Sequence, residues 1–417
     1  MLTNYLKIAL RSFKKHRLTF LINLFGLTLG LTTVILIMRW VKDEVSINRY
    51  HALGDRIYTV FTNHDNSTGV NTIEITPAEM AEAMGAELSQ VEMAAAISPY
   101  ITGVSFDNGK DVQVADGFFV DQEYLEMFSI DFLEGDKSKA LSDINSVVLS
   151  ESTAIRIFGS SKDAIGKSLK WSVFEFGNDV IVRGVYRDFG SLDVDKPEFL
   201  LSFPYFKKML GDGAHWDNFN AGTFLLLREG TDIDSFNSQI KNFIKDKEAE
   251  SNVTPFVQAF EDNYLYGSFE DGKVVGGRIN YVWIFSAIAF FILLIACINF
   301  MNLTTARSMN RIKEIGVKKS MGASRGGLFS QFMVESMLLT FFAMVLALVL
   351  AAVLQPFFNQ VTLKELNLNL NLSQILLLVL IWAFTGLLAG IYPSVYLSKF
   401  KPIQILKSNL KGSFGEL

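Results

Sequence analysis

The chain has 417 residues, half of them hydrophobic, with 36 Phe and a mean hydropathy of +0.28. Apolar content this high and this unevenly spread excludes a simple soluble globule and points to a membrane protein that carries a soluble part. The formal net charge is −5, and Cys297 is the only cysteine, so no disulfide can form within the chain and cysteine says little about compartment.

Taken in order, residues 1–17 carry Lys7, Arg11, Lys14, Lys15 and Arg17 and no acid, with Tyr5, Leu6, Ile8, Ala9 and Phe13 among them. Two readings stay open. One is a cytoplasmic interfacial helix lying on an anionic leaflet; the other is the ordinary basic flank of a span. Residues 18–40 form the first span, built on the apolar run Leu18–Met38. That run is too long for the apolar part of a signal peptide, and Arg39-Trp40-Val41-Lys42 offers no small-residue cleavage site, so it reads as an uncleaved anchor. Three more runs, Tyr281–Leu303, Leu328–Leu354 and Gln374–Leu397, place spans at 280–303, 328–355 and 374–397.

Residues 41–279 are long enough for one or two soluble subdomains. Ile57–Thr62, Val112–Val120, Val180–Tyr186, Glu198–Pro204 and Gly222–Arg228 read as strands. Thr76-Pro77-Ala78-Glu79 predicts a helix start, with a Thr cap, a first-turn Pro and a Glu completing a capping box. Ser150 predicts the cap of a short helix that Gly159 ends. Ile233, Phe236, Ile240, Phe243 and Ile244 form an apolar helix face. Strands and helices are interspersed, so the fold class is a membrane α-helical protein of four spans with a large α+β domain inserted between spans 1 and 2. Because that domain starts and ends at a span, 41–50 and 262–280 are expected to form two adjacent stalks that pass any movement of the spans into it.

Sidedness follows from short segments, since long loops translocate largely regardless of charge. The first 17 residues, the linker Arg307–Arg325 and the tail 398–417 together hold fifteen Lys/Arg against two acids. The outer loop 356–373 holds only Lys364 and Glu365, whereas 41–279 holds 21 Lys/Arg against 39 Asp/Glu. Both termini and the linker are therefore expected in the cytoplasm, and the acidic domain outside it.

The linker, within the cytoplasmic segment 304–327, reads as a rigid elbow. Met309, Ile312 and Ile315 fall three apart as a short apolar stripe. Gly322 can take the left-handed conformation that closes a helix, and Ser324 can cap the next. Such a charged elbow could dock a soluble partner. In the spans, Gly26-x-x-x-Gly30 and Gly386-x-x-x-Gly390 allow close helix approach, within one subunit or between two. Glu335 is the acid closest to burial; its place about two turns past the elbow favours pairing with a basic elbow residue over a proton relay. Asn23, Asn299 and Asn302 also fall within or near spans and are expected to face other helices.

Catalytic chemistry finds no support. Gly166-Lys167-Ser168 resembles the end of a phosphate loop, but position 161 is Ser where the pattern needs Gly, and a helix-to-strand turn is the better account. The four His, at 16, 51, 64 and 215, lack metal-ligand spacing, and no G-x-S-x-G elbow occurs. No catalytic, cofactor or metal residue is therefore assigned, and nucleic acid is not expected as a partner.

The layout resembles the permease subunits of the MacB/FtsX-like ABC transporter group, which includes the lipoprotein-release permeases. The most specific match is Arg311-Ile312-Lys313-Glu314-Ile315-Gly316 running to Met321-Gly322-Ala323-Ser324, similar to the family's signature after the second span. Gln331-Phe332 with Glu335 resembles the family's start of the third span. Val147–Phe158 with Ile165-Gly166-Lys167 resembles its extracytoplasmic segment. Ala296–Leu303 is similar to members from Bacteroidota. The resemblance implies a MacB-like core domain at 41–279 and a non-catalytic permease in the inner membrane. A separate cytoplasmic ABC ATPase would bind the ATP and Mg. Arg311, Lys313, Glu314, Ile315, Gly316, Lys319, Met321, Gly322 and Ala323 would form the ATPase-coupling elbow. Other partners implied are a second permease copy or second half, membrane lipid, and in some systems a periplasmic adaptor. Many Bacteroidota relatives repeat the whole unit, so the chain is either a short member or the first half of a longer protein. Export of antimicrobial peptides, amphipathic compounds or lipoproteins is expected. The alternative is an FtsX-like regulator that activates a cell-wall hydrolase without transport. A third reading, a sensor working without an ATPase, would leave the elbow's charge to bind anionic lipid.

Overall fold

A computed structural model describes the backbone of residues 2–67, 69–190, 194–367 and 371–399, and the side chains of these residues other than 2, 307–314 and 399. The helices are α1 (Leu2–Lys15), α2 (Arg17–Ser46), α3 (Met80–Glu87), α4 (Gln122–Met127), α5 (Glu151–Phe158), α6 (Ser161–Ala164), α7 (Phe203–Leu210), α8 (Ile233–Ile240), α9 (Phe260–Asn263), α10 (Ile279–Ser320), α11 (Arg325–Thr362) and α12 (Leu372–Lys399). Two compact units result: Met1–Lys42 with Val282–Leu417, and Asp43–Tyr281.

Among the described residues of the first unit, four helices are long and apolar enough to cross a membrane: Arg17–Ser46, Ile279–Ala306, Arg325–Thr362 and Leu372–Ser398. Their apolar residues run all round, as expected of helices that meet lipid wherever they do not meet protein. The shared core joins Leu27, Leu31 and Val34 of α2 to Leu293 and Cys297 of α10 and Ala343 and Ala347 of α11. Phe25, Phe291 and Leu380 point outward and stay exposed. Two boundaries differ from the sequence expectation. The second span and the elbow helix are one continuous α10. The outer loop is shorter than 356–373, because α11 runs through Pro356 to Thr362 and ends at Leu363 in the left-handed conformation. Gln355 and Asn359 side-chain amides both donate to the Leu366 carbonyl, which holds the chain against the end of that helix.

Among its described residues the second unit has fifteen strands: β1 (Ile57–Asn66), β2 (Gly69–Ile73), β3 (Thr76–Pro77), β4 (Val91–Ile97), β5 (Ile101–Asp107), β6 (Val112–Val120), β7 (Phe132–Gly135), β8 (Ser146–Ser150), β9 (Ser168–Val173), β10 (Phe176–Tyr186), β11 (Phe199–Ser202), β12 (Phe219–Leu227), β13 (Val253–Ala259), β14 (Ser268–Glu270) and β15 (Lys273–Gly276). The hydrogen-bonded order is β11-β8-β10-β9-β5-β6-β4-β12-β1-β13, and β11 also pairs with β6. The strands β11, β8, β10, β9, β5 and β6 thus close on themselves as a ring. Alternation makes this possible: β9 reads exposed-buried along its whole length, with Leu169, Trp171 and Val173 turned inward. Inside the ring Trp171, Phe106, Phe119 and Phe199 are fully buried. Only Ile97↔Val120 joins β4 to β6, and beyond it β4, β12, β1 and β13 form an antiparallel sheet whose core includes Met80, Met84, Phe236 and Ile240 from α3 and α8.

Local expectations hold at several elements. Ser150 Oγ accepts from the Thr153 N–H at the start of α5, and Gly159 ends that helix at φ +83°. Residues Val112–Val120 are β6 as expected; Phe236, Ile240, Phe243 and Ile244 are buried together, although α8 ends at Ile240 and the last two lie in the turns after it. The Thr76 helix start is corrected. Thr76 and Pro77 form β3 against β12, and α3 begins only at Met80, with no side-chain cap. Thr76 Oγ1 lies 2.8 Å from Thr223 Oγ1 and donates to the Ala221 carbonyl at 3.2 Å, so strand pairing claims the group that would have capped. The strand expected at Glu198–Pro204 is also shorter, because Phe203-Pro204 already belongs to the first turn of α7, a favoured site for Pro.

Ring closure depends on Gly117, where a Cβ would stand 2.2 Å from the Phe199 carbonyl oxygen of β11. Gly117→Ala must therefore push β6 and β11 apart, at a cost of roughly 2–3 kcal/mol. Ser150→Ala removes one cap, at about 1 kcal/mol. Denaturant unfolding of the two variants should rank them in that order.

Candidate functional site

The elbow is built by two helix ends. At the end of α10 the Ala323 N–H reaches back to the Lys318 carbonyl and the Gly322 N–H to the Lys319 carbonyl, both at 3.0 Å. That is the two-bond closure of a Schellman turn, and it needs φ > 0 at Gly322, which has +96°. Ser324 then opens α11, its Oγ accepting from the Gly327 N–H at 3.1 Å. Ile315 is buried and packs with Leu328 and Phe332 of α11 and Leu397 of α12. Lys318 Nζ donates to Gln331 Oε1 (3.3 Å) and Lys319 Nζ to the Ser398 carbonyl (2.7 Å). The turn is thus pinned to both following helices. At its tip Met321 is 82% exposed and Val317 56% exposed, a small apolar knob on an otherwise basic turn. Val317 was missed by sequence reasoning, although its place one turn before Met321 was a signal for it. Gly316 and Ala323 are placed on the inner side of the turn, with Gly316 buried. The side chains of Met309, Arg311, Ile312, Lys313 and Glu314 lie outside the described residues.

Glu335 and the glycines lie in the same unit. Glu335 Oε1 accepts from Ser12 Oγ at 2.8 Å, so the carboxylate ties α1 to α11. Sequence reasoning did not consider Ser12 as a partner of Glu335. A Cβ on Gly30 would stand 2.8 Å from Ala296 Cβ, and one on Gly26 3.5 Å from Asn299 Nδ2, so both serve the approach of α2 to α10. Cβ atoms on Gly386 and Gly390 would meet Met337 Sδ at 2.3 Å and Ser336 Cβ at 2.9 Å, between α12 and α11. All four glycines therefore work at contacts within the chain.

In the α+β unit the incoming and outgoing segments lie side by side. Arg278 Nη2 and Nε reach the two oxygens of Glu44 at 3.2 and 3.3 Å. Glu44 is fully buried while Arg278 is half exposed. The guanidinium lies 4.7 Å above the Tyr264 ring. Burial, and then the hydrogen bond to Glu44, push the Tyr264 phenol up. Farther along, Arg49 pairs with Asp262 at 3.1 Å.

The phosphate-loop resemblance resolves as a turn. Gly166 has φ +77°, its N–H is taken by the Val182 carbonyl (2.8 Å), and the Lys167 N–H by the Ala164 carbonyl (3.1 Å). Neither amide is left to cradle a phosphate. Among the described residues, no group of three or more His, Cys, Asp or Glu is placed to hold a metal ion.

Two outcomes follow from these contacts. Ser324→Ala should loosen the start of α11 by about 1 kcal/mol and raise amide exchange there roughly fivefold. Arg278→Ala leaves a buried carboxylate without its cation. With the arginine half in water, the loss should be about 2 kcal/mol in unfolding of the detergent-solubilised chain, and Arg278→Lys should recover only part of it.

Residues 20–243 match the MacB-like periplasmic core domain, and residues 286–402 match the FtsX-like permease C-terminal domain. YknZ of Bacillus subtilis, an uncharacterized ABC transporter permease, is 22% identical over 361 residues, which is 80% of this chain and 82% of that protein. The macrolide export ATP-binding/permease protein MacB of Neisseria meningitidis serogroup A is 20% identical over 418 residues, 96% of this chain and 60% of that protein. The chain thus spans 60% of the length of this MacB. Among solved structures, the periplasmic region of MacB from Actinobacillus actinomycetemcomitans matches with a TM-score of 0.37 and 15% identity, over 50% of this chain and 91% of that one. The periplasmic-domain match covers more than half of the residues and the permease match takes up the last three apolar helices, so the chain belongs to the MacB/FtsX-like family of ABC transporter permeases.

Proposed function

We propose that the elbow receives movement from a separate cytoplasmic ABC ATPase and that the α+β domain spends that movement outside the inner membrane, exporting amphipathic compounds, antimicrobial peptides or lipoproteins. This reading puts both termini and the elbow in the cytoplasm, as the positive-inside rule favours. The observation that carries it is the construction of the turn. A Schellman closure, a Ser cap, buried Ile315 and two anchored lysines hold the exposed Met321 and Val317 in one geometry. A turn that merely joined two spans would not need so many ties. A rigid tip with an apolar centre and a basic rim has the anatomy of a small docking surface. MacB of Neisseria meningitidis is an ATP-binding/permease protein, which also supports a partner of this kind.

The ion-paired segments at Glu44–Arg278 and Arg49–Asp262 suit a domain moved as one body by its two ends. The pinned tip favours coupling over the lipid-bound sensor, which would need only exposed basic charge.

Co-purification with a cytoplasmic ABC ATPase co-expressed with this chain tests the proposal. Wild type should capture the ATPase in stoichiometric amount, and Met321→Asp, Glu314→Arg and Gly316→Trp should each lower capture by about tenfold or more. Gly316→Trp risks disturbing the buried side of the turn, so the exposed Met321→Asp is the deciding variant. Capture unchanged by Met321→Asp and Glu314→Arg, in protein that elutes as wild type does, would refute a coupling role for the elbow.

A further inference from the structure

The α+β domain holds a cavity of about 340 Å³ at the edge of one of its cores. Its floor is a cluster of aromatic rings. Phe128 stands 5.1 Å from Phe224, 5.0 Å from Phe260 and 5.1 Å from His51, all edge to face, and Phe224 stands 5.6 Å from Phe260. Two carboxylates line the same space, Glu74 from the turn between β2 and β3 and Asp195 from the segment before β11. Both side chains stay open to water. Among the described residues neither has an ion-pair partner.

Two like charges beside an aromatic floor favour a cationic occupant between them. Glu74 registers the conflict. Although water reaches it, the protein crowded around it and then the Asp195 charge push its carboxyl up to about 7. Burial raises Asp195 as well. The other titratable groups lining the cavity are His51, Tyr124 and Tyr264. Burial pushes His51 down to about 4, so at neutral pH it is uncharged. The Tyr264 phenol is pushed up and stays protonated. The cation beside Tyr264 is Arg278, and its fork is taken by buried Glu44. Among the described residues the wall therefore carries negative charge and aromatic rings, with no positive charge lining the same space.

We propose that this cavity binds a small soluble organic cation, its ammonium group placed at Glu74 and Asp195 and its apolar body lying on Phe128, Phe224 and Phe260. Aromatic faces attract ammonium groups, and the volume suits a ligand at the small end of the drug-sized range. Asn48 and His51 on the incoming side, and Asn263 and Tyr264 on the outgoing side, line the same cavity, so its occupant bears on both ends of the domain. The site would act as an effector pocket of the domain. It stands whether or not the elbow couples to an ATPase.

Calorimetric titration of the full chain in phosphatidylglycerol nanodiscs with benzyltrimethylammonium, and with benzenesulfonate as the anionic counterpart, tests it. The cation should bind and the sulfonate should not. Affinity should tighten by about fivefold between about pH 6 and pH 8, because Glu74 loses its proton there and gains charge. Glu74→Gln with Asp195→Asn changes two water-exposed groups and should weaken binding by about tenfold. Phe260→Leu, which keeps an apolar floor without the ring, should weaken it less. No heat with the cation, equal binding of both probes, or full affinity in the carboxylate double variant would each overturn the proposal. Loss of binding when phosphatidylethanolamine replaces phosphatidylglycerol would hand the site to a lipid headgroup and overturn it too.

Discussion

The pairing of Arg278 with buried Glu44 is the contact on which the rest of the α+β unit depends. A domain inserted between two helices must bring its first and last segments together, and here Glu44 of the first segment meets Arg278 of the last. Glu44 is fully buried, and the guanidinium meets both of its oxygens, which offsets much of the cost of burying its charge. Tyr264, which adds a hydrogen bond to the carboxylate and a ring beneath the arginine, makes this a three-residue clamp rather than a surface ion pair. Arg49–Asp262, half in water on both sides, adds little energy but repeats the same connection.

Beyond that clamp the domain is two sets of strands, joined by the ladder pair Ile97↔Val120 and by a shared core in which Phe118, Val148 and Leu200 of the ring pack with Ile57, Ala95 and Leu226 of the sheet. The six-strand ring fills its inside with Trp171, Phe106, Phe119 and Phe199, which leaves no room there for a ligand. The neighbouring sheet is filled by α3 and α8. One of the domain's cavities lies where the aromatic core beside the ring runs out, and that is where Glu74 and Asp195 stand. Packing explains both halves of this arrangement. Cores close to near-crystalline density, so an unfilled cavity with charged walls marks a place where something other than packing decides the residues.

The membrane unit obeys a different economy, since lipid is as apolar as leucine and burial alone does not draw helices together. Small residues and hydrogen bonds do that work. Gly26 and Gly30 let α2 approach α10, while Gly386 and Gly390 let α12 approach α11. Ser12 meets Glu335 where α1 crosses α11. The elbow follows from the same need for internal satisfaction. Its terminal amides and carbonyls are closed by Gly322 and Ser324 before the next helix begins.

The sequence alone determined what depends on neighbours a few residues apart. Apolar length placed the four long helices, β6 came out at Val112–Val120, and Ser150, Gly159, Gly322 and Ser324 took up the ends expected of them. The elbow, as a turn between two spans, was legible for the same reason, and so was the pairing of glycines four apart. Only the tertiary structure decided what depends on partners distant in the chain. Thr76 carries a sound local cap signal, but Thr223 and Ala221, far along the chain, offered it a strand instead. The closing of the ring by β11, the choice of Ser12 for Glu335, and the meeting of Glu74 with Asp195 over the rings of Phe128 and Phe260 have no periodicity to announce them. Caps and turns are settled by groups within one helical turn of each other, whereas these contacts exist only once segments far apart in the chain have been packed together.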